Sequence, residues 1–361
     1  MTSSGPVRVL IVDDSPFVRS ILTRALSAQE GIEVAGGARD PFEARELIIQ
    51  HRPNVIILDI EMPRMDGITF LKKIMAHYPV PVIMCSGAVG ANSRVALEAI
   101  ELGATDVVAK PSGGGSLGLR RVGEELAYKV KAAAMAGVSP PKIPAGASSK
   151  PSSFRDAGID PARYLVAIGA STGGTEAIRG VLTHVPADFP AIVMVQHMPV
   201  GFTNSFAERL NELSAVEVME AAGGDVLVPG RAFLARGDTH LVVRASGRQR
   251  RLVYTDDVPI NRHCPSVEAM FNSVAEHVGK MAIGVILTGM GADGAKGLLR
   301  MRQAGAATFG QDAKSSVVYG MPKVAYDIGA VEVQVTPEEV PGRILQAIRK
   351  RERATTASAT R

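Results

Sequence analysis

The chain has 361 residues, and at roughly 150 residues per domain that length predicts about two domains. Hydrophobic residues make up 46% and charged residues 21%, which excludes a mainly disordered, collagen-like or fibrous chain. Lys plus Arg number 40 against 36 Asp plus Glu, and the resulting net charge of +4 is too small to require nucleic acid as a partner.

The first part of the chain alternates short aliphatic runs with amphipathic ones. Val9–Val12 reads as a buried strand and Phe17–Leu26 as a helix. The pairs then repeat: Ile32–Ala35 and Pro41–Gln50, Val55–Leu58 and Ile68–Ala76, Val82–Cys85 and Ser93–Leu102, Val107–Ala109 and Leu119–Ala134. Five βα units in a row predict an α/β domain with a five-stranded parallel sheet and helices on both faces.

In such a sheet ligands sit beyond the carboxyl ends of the strands. Asp13 and Asp14 end the first strand, Asp59 ends the third, Ser86 ends the fourth, and Lys110 follows the fifth. Three carboxylates on one edge repel one another and need a cation. Oxygen ligands suit a hard ion such as magnesium. One carboxylate is then a nucleophile towards a phosphoryl donor, and a hydroxyl and an ammonium are suited to the phosphoryl oxygens. The simpler reading, helix caps and turns, accounts for single residues but not for the ordered set.

The run Asp13-Asp14, Leu58-Asp59 with Met62-Pro63 and Asp66-Gly67, then Ser86, then Lys110-Pro111, resembles a response-regulator receiver domain over residues 7 to 136. The resemblance implies a flavodoxin-like fold and Asp59 as the phospho-acceptor. It also implies Asp13, Asp14 and Asp59 around magnesium, with Ser86 and Lys110 touching the phosphoryl group. In that family an aromatic residue usually stands three places before the lysine; here the position is Val107.

Residues 137–160 contain Pro140, Pro141, Pro144 and Pro151 among Ser, Ala, Gly and Lys, with few aliphatic residues. That composition predicts a flexible linker. It separates a first domain, 1–136, from a second, 161–350, each long enough for its own core. In the second, Leu165–Ile168, Ala191–Gln196 and Met281–Leu287 read as doubly covered parallel strands. The shorter runs Val216–Met219, Ala232–Ala235, Leu241–Arg244 and Arg251–Tyr254 predict an antiparallel hairpin insertion into a doubly wound α/β frame. Arg343–Arg353 reads as a closing helix, and residues 351–361 as a disordered tail.

Gly169-Ala170-Ser171-Thr172-Gly173-Gly174 fits G-x-S-x-G between a strand and a helix. Such a turn exposes the serine oxygen, and the helix N-terminus favours an oxyanion; it equally suits a phosphate or a plain turn. His197 follows the next strand, and Asp293 lies in the Gly-rich loop after Leu287. Parallel strand ends share one edge, so Ser, His and Asp are able to meet there as an acyl-transfer triad. The chain order Ser171, His197, Asp293 differs from the Ser, Asp, His order of α/β-hydrolases. His240 and His263 offer that other order, but the carboxylates before them lie in the hairpin region. His263-Cys264 is set aside as a nucleophile or metal site, because neighbours on one loop tend to point apart and no further ligand cluster is near.

Ile168–Gly174, Val195-Gln196-His197-Met198, Leu287–Gly294 and Pro265-Ser266-Val267 resemble the catalytic domain of chemotaxis-type protein-glutamate methylesterases over residues 162 to 349. The resemblance implies a Ser171–His197–Asp293 triad, with Thr172 and Met290 on the oxyanion and substrate side. It implies hydrolysis of glutamate γ-methyl esters on methyl-accepting chemoreceptors, a sensor histidine kinase as phosphodonor, and magnesium at the receiver with no cofactor for the esterase step. The same acyl chemistry on a γ-amide predicts deamidation of receptor glutamines as a second activity. The layout predicts that the receiver gates the serine edge and that phosphorylation at Asp59 releases it. Two rivals are a DNA-binding output domain, for which no helix-turn-helix or concentrated basic face is present, and a binding module with an inert triad. No apolar stretch approaches the roughly 18 residues of a membrane span. The segment Met1–Pro6 lacks signal-peptide character, and Cys85 and Cys264 are the only cysteines, so the expected location is cytoplasmic.

Overall fold

A computed structural model describes residues 5–87, 91–111, 115–138, 153–247 and 249–359. Two compact units divide the chain, Met1–Pro144 and Ala145–Arg361. Residues 139–152 of the expected linker lie outside the described residues.

The first unit contains the strands β1 (Val7–Val12), β2 (Ile32–Ala38), β3 (Val55–Asp59), β4 (Val82–Ser86) and β5 (Asp106–Ala109). They form a parallel sheet in the order β2-β1-β3-β4-β5. The helices between them start where short polar caps meet proline or glycine. Ser15 caps α1 (Pro16–Ser27), Asp40 caps α2 (Pro41–His51), and Asp66 caps α3 (Gly67–His77). α4 (Ala91–Glu101) and α5 (Gly115–Ala136) complete the layers. Val9, Ile11, Ile57 and Ile83 meet Leu22, Leu26 and Val130 in one core, where each buried aliphatic side chain contributes about 1.5–3 kcal/mol. The strand order reverses between β1 and β3, which opens a crevice at their carboxyl ends.

The second unit is built on seven parallel strands. In chain order they are β6 (Leu165–Ala170), β7 (Ala191–Gln196), β8 (Glu217–Glu220), β9 (Arg231–Leu234), β12 (Ala282–Ile286), β13 (Ala307–Gln311) and β14 (Val333–Val335). Their spatial order is β14-β13-β12-β6-β7-β9-β8. An antiparallel hairpin, β10 (Leu241–Ser246) with β11 (Gln249–Tyr254), is the expected insertion. It packs on α8 (Val267–His277), where Val243 N–H donates to Ser273 Oγ at 2.9 Å. Two of the four short runs behave differently from expectation: β8 and β9 join the main sheet as parallel strands. Ala232 and Phe233 are in register with Ile192 and Val193 of β7 and are buried.

Two segments are more ordered than composition suggests. Phe154 is buried edge-on against Phe189, and Ser153 donates to Asp188, so residues 153–160 belong to the second unit rather than to a free linker. The last helix, α11 (Val340–Ala359), runs through most of the segment read as a tail. Arg351 bonds the carbonyls of Lys280 and Gly305, and Glu352 accepts from Arg163 and Tyr164. These ties anchor the helix, and the Ala-rich stretch beyond them continues it.

Candidate active site and phosphoryl pocket

The crevice of the first unit gathers the expected residues. Asp13 and Asp59 are buried, Ser86 is buried, Lys110 is half-buried and Asp14 is exposed. Lys110 Nζ lies 2.7 Å from Asp59 Oδ2 and 3.2 Å from Asp13 Oδ2. Lys110 N–H also donates to the Ser86 carbonyl at 2.8 Å, joining the ends of β4 and β5. Burial, opposed by Lys110 and reinforced by the Asp13 charge, pushes the Asp59 carboxyl up to about 6. One lysine does not offset three carboxylates. Oxygens of Asp13, Asp14 and Asp59 lie within 4.8 Å of one another, a donor set of the kind a hard divalent cation takes. Val107 is buried, and the carbonyl of Val107 accepts from Lys129 Nζ at 2.8 Å; that ammonium also bonds Asp106 Oδ1 at 2.7 Å. The position carries a buried aliphatic side chain beside a buried ion pair.

In the second unit the strand order reverses between β6 and β12. Ser171 follows β6 directly. Its N–H donates to the Thr288 carbonyl beyond β12 at 3.0 Å, and its carbonyl accepts from Gln196 Nε2 at 2.9 Å. The serine is thus stitched to the strands on either side. Gly289 allows this approach, because a Cβ there would lie 2.6 Å from Ser171 Cβ. Gly173, at φ +77°, turns the chain into α6 (Gly174–Leu182), whose N-terminus faces the same edge. Thr172 is buried beside the serine, its carbonyl bonded by Thr288 Oγ1 at 3.0 Å. Met290 is half-buried two residues beyond Thr288, where Gly320 packs against it.

His197 stands at the end of β7, with its N–H on the Ala170 carbonyl at 3.1 Å. Its Nε2 meets Asp293 Oδ2 at 2.9 Å, and its buried Nδ1 has no hydrogen-bond partner among the described residues. Among the described residues no hydrogen bond joins the Ser171 hydroxyl to this ring; such links often close only around substrate.

Asp293 is the most heavily supported group of the site. Oδ1 accepts from Ser266 Oγ at 2.8 Å, Asn261 Nδ2 at 2.9 Å and Glu268 N–H at 3.3 Å. Oδ2 accepts from Val267 N–H at 2.7 Å as well as from His197. Val267 and Glu268 open α8, so the carboxylate sits on that helix's positive end, and Ser266 is its cap. Burial opposes ionisation here, but the His197, Asn261 and Ser266 bonds prevail and hold the carboxyl well below the usual range.

Sequence reasoning missed this outer set. Ser266 carried a signal, a serine before Val267-Glu268 at a helix start. Asn261 carried a weaker one, because Asn favours the left-handed conformation it adopts here at φ +52°. His263, set aside in the sequence as a nucleophile or metal ligand, lies instead with its ring on that of His197, centroids 3.7 Å apart.

Comparison with known proteins agrees with both halves. Residues 9–119 match the response regulator receiver domain family and residues 166–344 the CheB methylesterase family. A protein-glutamate methylesterase/protein-glutamine glutaminase of Xanthomonas oryzae pv. oryzae is 49% identical over 351 residues, covering 96% of this chain and 98% of that protein. A protein-glutamate methylesterase/protein-glutamine glutaminase of Syntrophotalea carbinolica is 46% identical over 350 residues, covering 96% and 98%. The crystal structure of the Thermotoga maritima CheB methylesterase catalytic domain superposes with a TM-score of 0.50 at 35% identity, covering 51% of this chain and 98% of that one. No helix among the described residues is long and apolar enough to cross a membrane. With relatives this similar along nearly its whole length, the chain belongs to the protein-glutamate methylesterase family of receiver-linked response regulators.

Proposed function

We propose that the chain is a phosphorylation-controlled serine esterase that hydrolyses glutamate γ-methyl esters on the cytoplasmic region of chemoreceptors. The observation that carries the reading is the buried His197–Asp293 pair beside Ser171. The neutral imidazole donates Nε2–H to Asp293 and leaves the Nδ1 lone pair as the base. Ser171 Oγ attacks the γ-carbonyl while its proton passes to Nδ1. Asp293 offsets the imidazolium charge. The C–O bond to methanol breaks, and methanol leaves with that proton. Water then attacks the glutamyl-enzyme, giving its proton to His197, and the free γ-carboxylate departs as Ser171 is restored. On a γ-amide the same steps release ammonia, which converts glutamine to glutamate. The N-terminus of α6, with Thr172, and the Met290 loop would supply the oxyanion and substrate contacts.

In this reading residues 1–136 form the receiver, and the catalytic domain extends beyond the expected 161–350 to take in 153–160 and the rest of α11. Asp59 is the phospho-acceptor, with a sensor histidine kinase as donor. Asp13, Asp14 and Asp59 would hold magnesium, which when bound neutralises charge at the phosphoryl group. Lys110 already spans Asp13 and Asp59, so it is placed to take a phosphoryl oxygen, and Ser86 lies on the neighbouring strand end. The esterase step is assigned to side chains alone, in a cytoplasmic protein without nucleic-acid binding. A fluorophosphonate probe tests the nucleophile: adduct mass on the peptide carrying Ser171, absent in Ser171→Ala, is expected. Equal labelling of that variant would remove Ser171 from the role.

A further inference from the structure

We propose that His263 is a positioning residue for His197, a role that rests on the esterase reading above. The two imidazole rings are stacked face to face, 3.7 Å between centroids and 9° from parallel. His197 is buried, and among the described residues its ring has one hydrogen bond to fix it, from Nε2 to Asp293. A single bond leaves the ring free to rock about its Nε2 end. A flat neighbour against one face removes that freedom and holds Nδ1 in one direction.

The way His263 is delivered supports the assignment. Ile260 and His263 exchange backbone hydrogen bonds of 3.0 and 2.9 Å, closing a two-residue hairpin turn. Its central residues, Asn261 and Arg262, both adopt positive φ, +52° and +71°. That is a type I′ turn without glycine, and such strain is retained where the surroundings over-determine it. The same turn sends Asn261 Nδ2 to Asp293 Oδ1 and the His263 ring to His197. Both members of the His–Asp pair are therefore braced by one four-residue unit. His240 fastens that unit at its two flanks: its Nε2 donates to the Val258 carbonyl at 2.8 Å, and its Nδ1 accepts from Ser266 N–H at 3.1 Å. A ring at position 263 that merely filled space would not need to lie parallel to the base.

The test uses the full chain as wild type, His263→Ala, His263→Phe and Ser171→Ala. Phe keeps a planar ring and removes the nitrogens. Misplacing a general base by a fraction of an ångström costs on the order of 10- to 100-fold in rate, so His263→Ala is expected to lose that much in kcat for methanol release with KM changed less than about twofold. His263→Phe is expected to recover to within roughly threefold of wild type, because stacking rather than titration carries the role. In parallel, two-bond ¹H–¹⁵N spectra of the imidazoles report the His197 tautomer without any turnover. A single Nε2–H form in wild type and His263→Phe, and a mixed form in His263→Ala, is the predicted pattern. An unchanged kcat and tautomer in His263→Ala overturns the proposal, as does a His263→Phe variant that is folded yet no better than Ala. If wild type itself releases no methanol above Ser171→Ala, the esterase reading fails, and the spectra still decide whether His263 fixes the ring.

Discussion

Replacing Asp293 by Asn changes one oxygen to an amide and removes one charge, and the structure says what that costs. Five donors converge on the carboxylate, three on Oδ1 and two on Oδ2. The Asn amide nitrogen has its cheapest place at Oδ1, because Ser266 rotates its hydroxyl, Asn261 flips its amide, and Glu268 N–H keeps Ser266 Oγ at 3.1 Å. The oxygen then stays with Val267 N–H and His197. Those two bonds turn from charge-assisted to neutral, a loss of about 1 kcal/mol each. The start of α8 loses its anion, a further 0.5–1 kcal/mol or so. The total is about 3 kcal/mol at neutral pH, or roughly 6–12 °C in the Tm of a unit of about 200 residues. Asp293 has a folded pKa below its ordinary 3.8, so its ionised form stabilises the fold above that pH, and the stabilisation is lost as pH falls below it. The Asn variant has no such proton to gain. The gap between variant and wild type should therefore be full at pH 7 and shrink below pH 3.8 or so. Scanning calorimetry of the full chain, read at the transition of the second unit, measures this. A gap under about 1 kcal/mol at pH 7, or one that stays constant down to pH 3, refutes the view that charge on this carboxylate is held by α8 and the turn.

In the first unit the sign is opposite. Asp59 has a folded carboxyl raised from 3.8 to about 6, so its contribution is fully present below 3.8 and is lost as pH rises through 6. Asp59→Asn, in chelator, should then raise the receiver transition at pH 7.5 by about 1–2 kcal/mol after discounting for the lost Lys110 contact and solvent access, and show no gain at pH 4. Calorimetric magnesium titration should give binding that weakens with acid below about pH 6 and is lost in Asp13→Asn, since protons and cation compete for the same oxygens. His240→Ala leaves the buried Ser266 N–H without its ring acceptor and should lower second-unit stability by roughly 1–3 kcal/mol in a urea melt.

The strand ends were legible because the sheet is doubly covered. Runs such as Val55-Ile56-Ile57-Leu58 and Ala191-Ile192-Val193-Met194-Val195 announce buried strands, and the polar residue after each marks the functional edge. Ser171, His197 and Asp293, like Asp13, Asp59, Ser86 and Lys110, are read as site candidates in that way. Strand direction was not legible for β8 and β9, because a four-residue run carries no information on which neighbour it pairs with. β13 and β14 escaped notice because Thr308, Gly310 and Gln334 interrupt the apolar pattern. The support around Asp293 escaped for a different reason. It comes from an irregular turn whose positive φ values at Asn261 and Arg262 no periodicity encodes. Helical order beyond Arg351 depends on anchoring to Lys280, Gly305, Arg163 and Tyr164, contacts some 45 to 190 residues distant in the chain.

Methanol release from methylated receptor membranes tests the central claim most directly. Wild type and Ser171→Ala are compared, each with and without magnesium and a small-molecule phosphodonor. The account predicts release that requires Ser171 and rises when Asp59 is phosphorylated. Release that is equal in Ser171→Ala, or absent from wild type on a verified methylated substrate under both conditions, would contradict it.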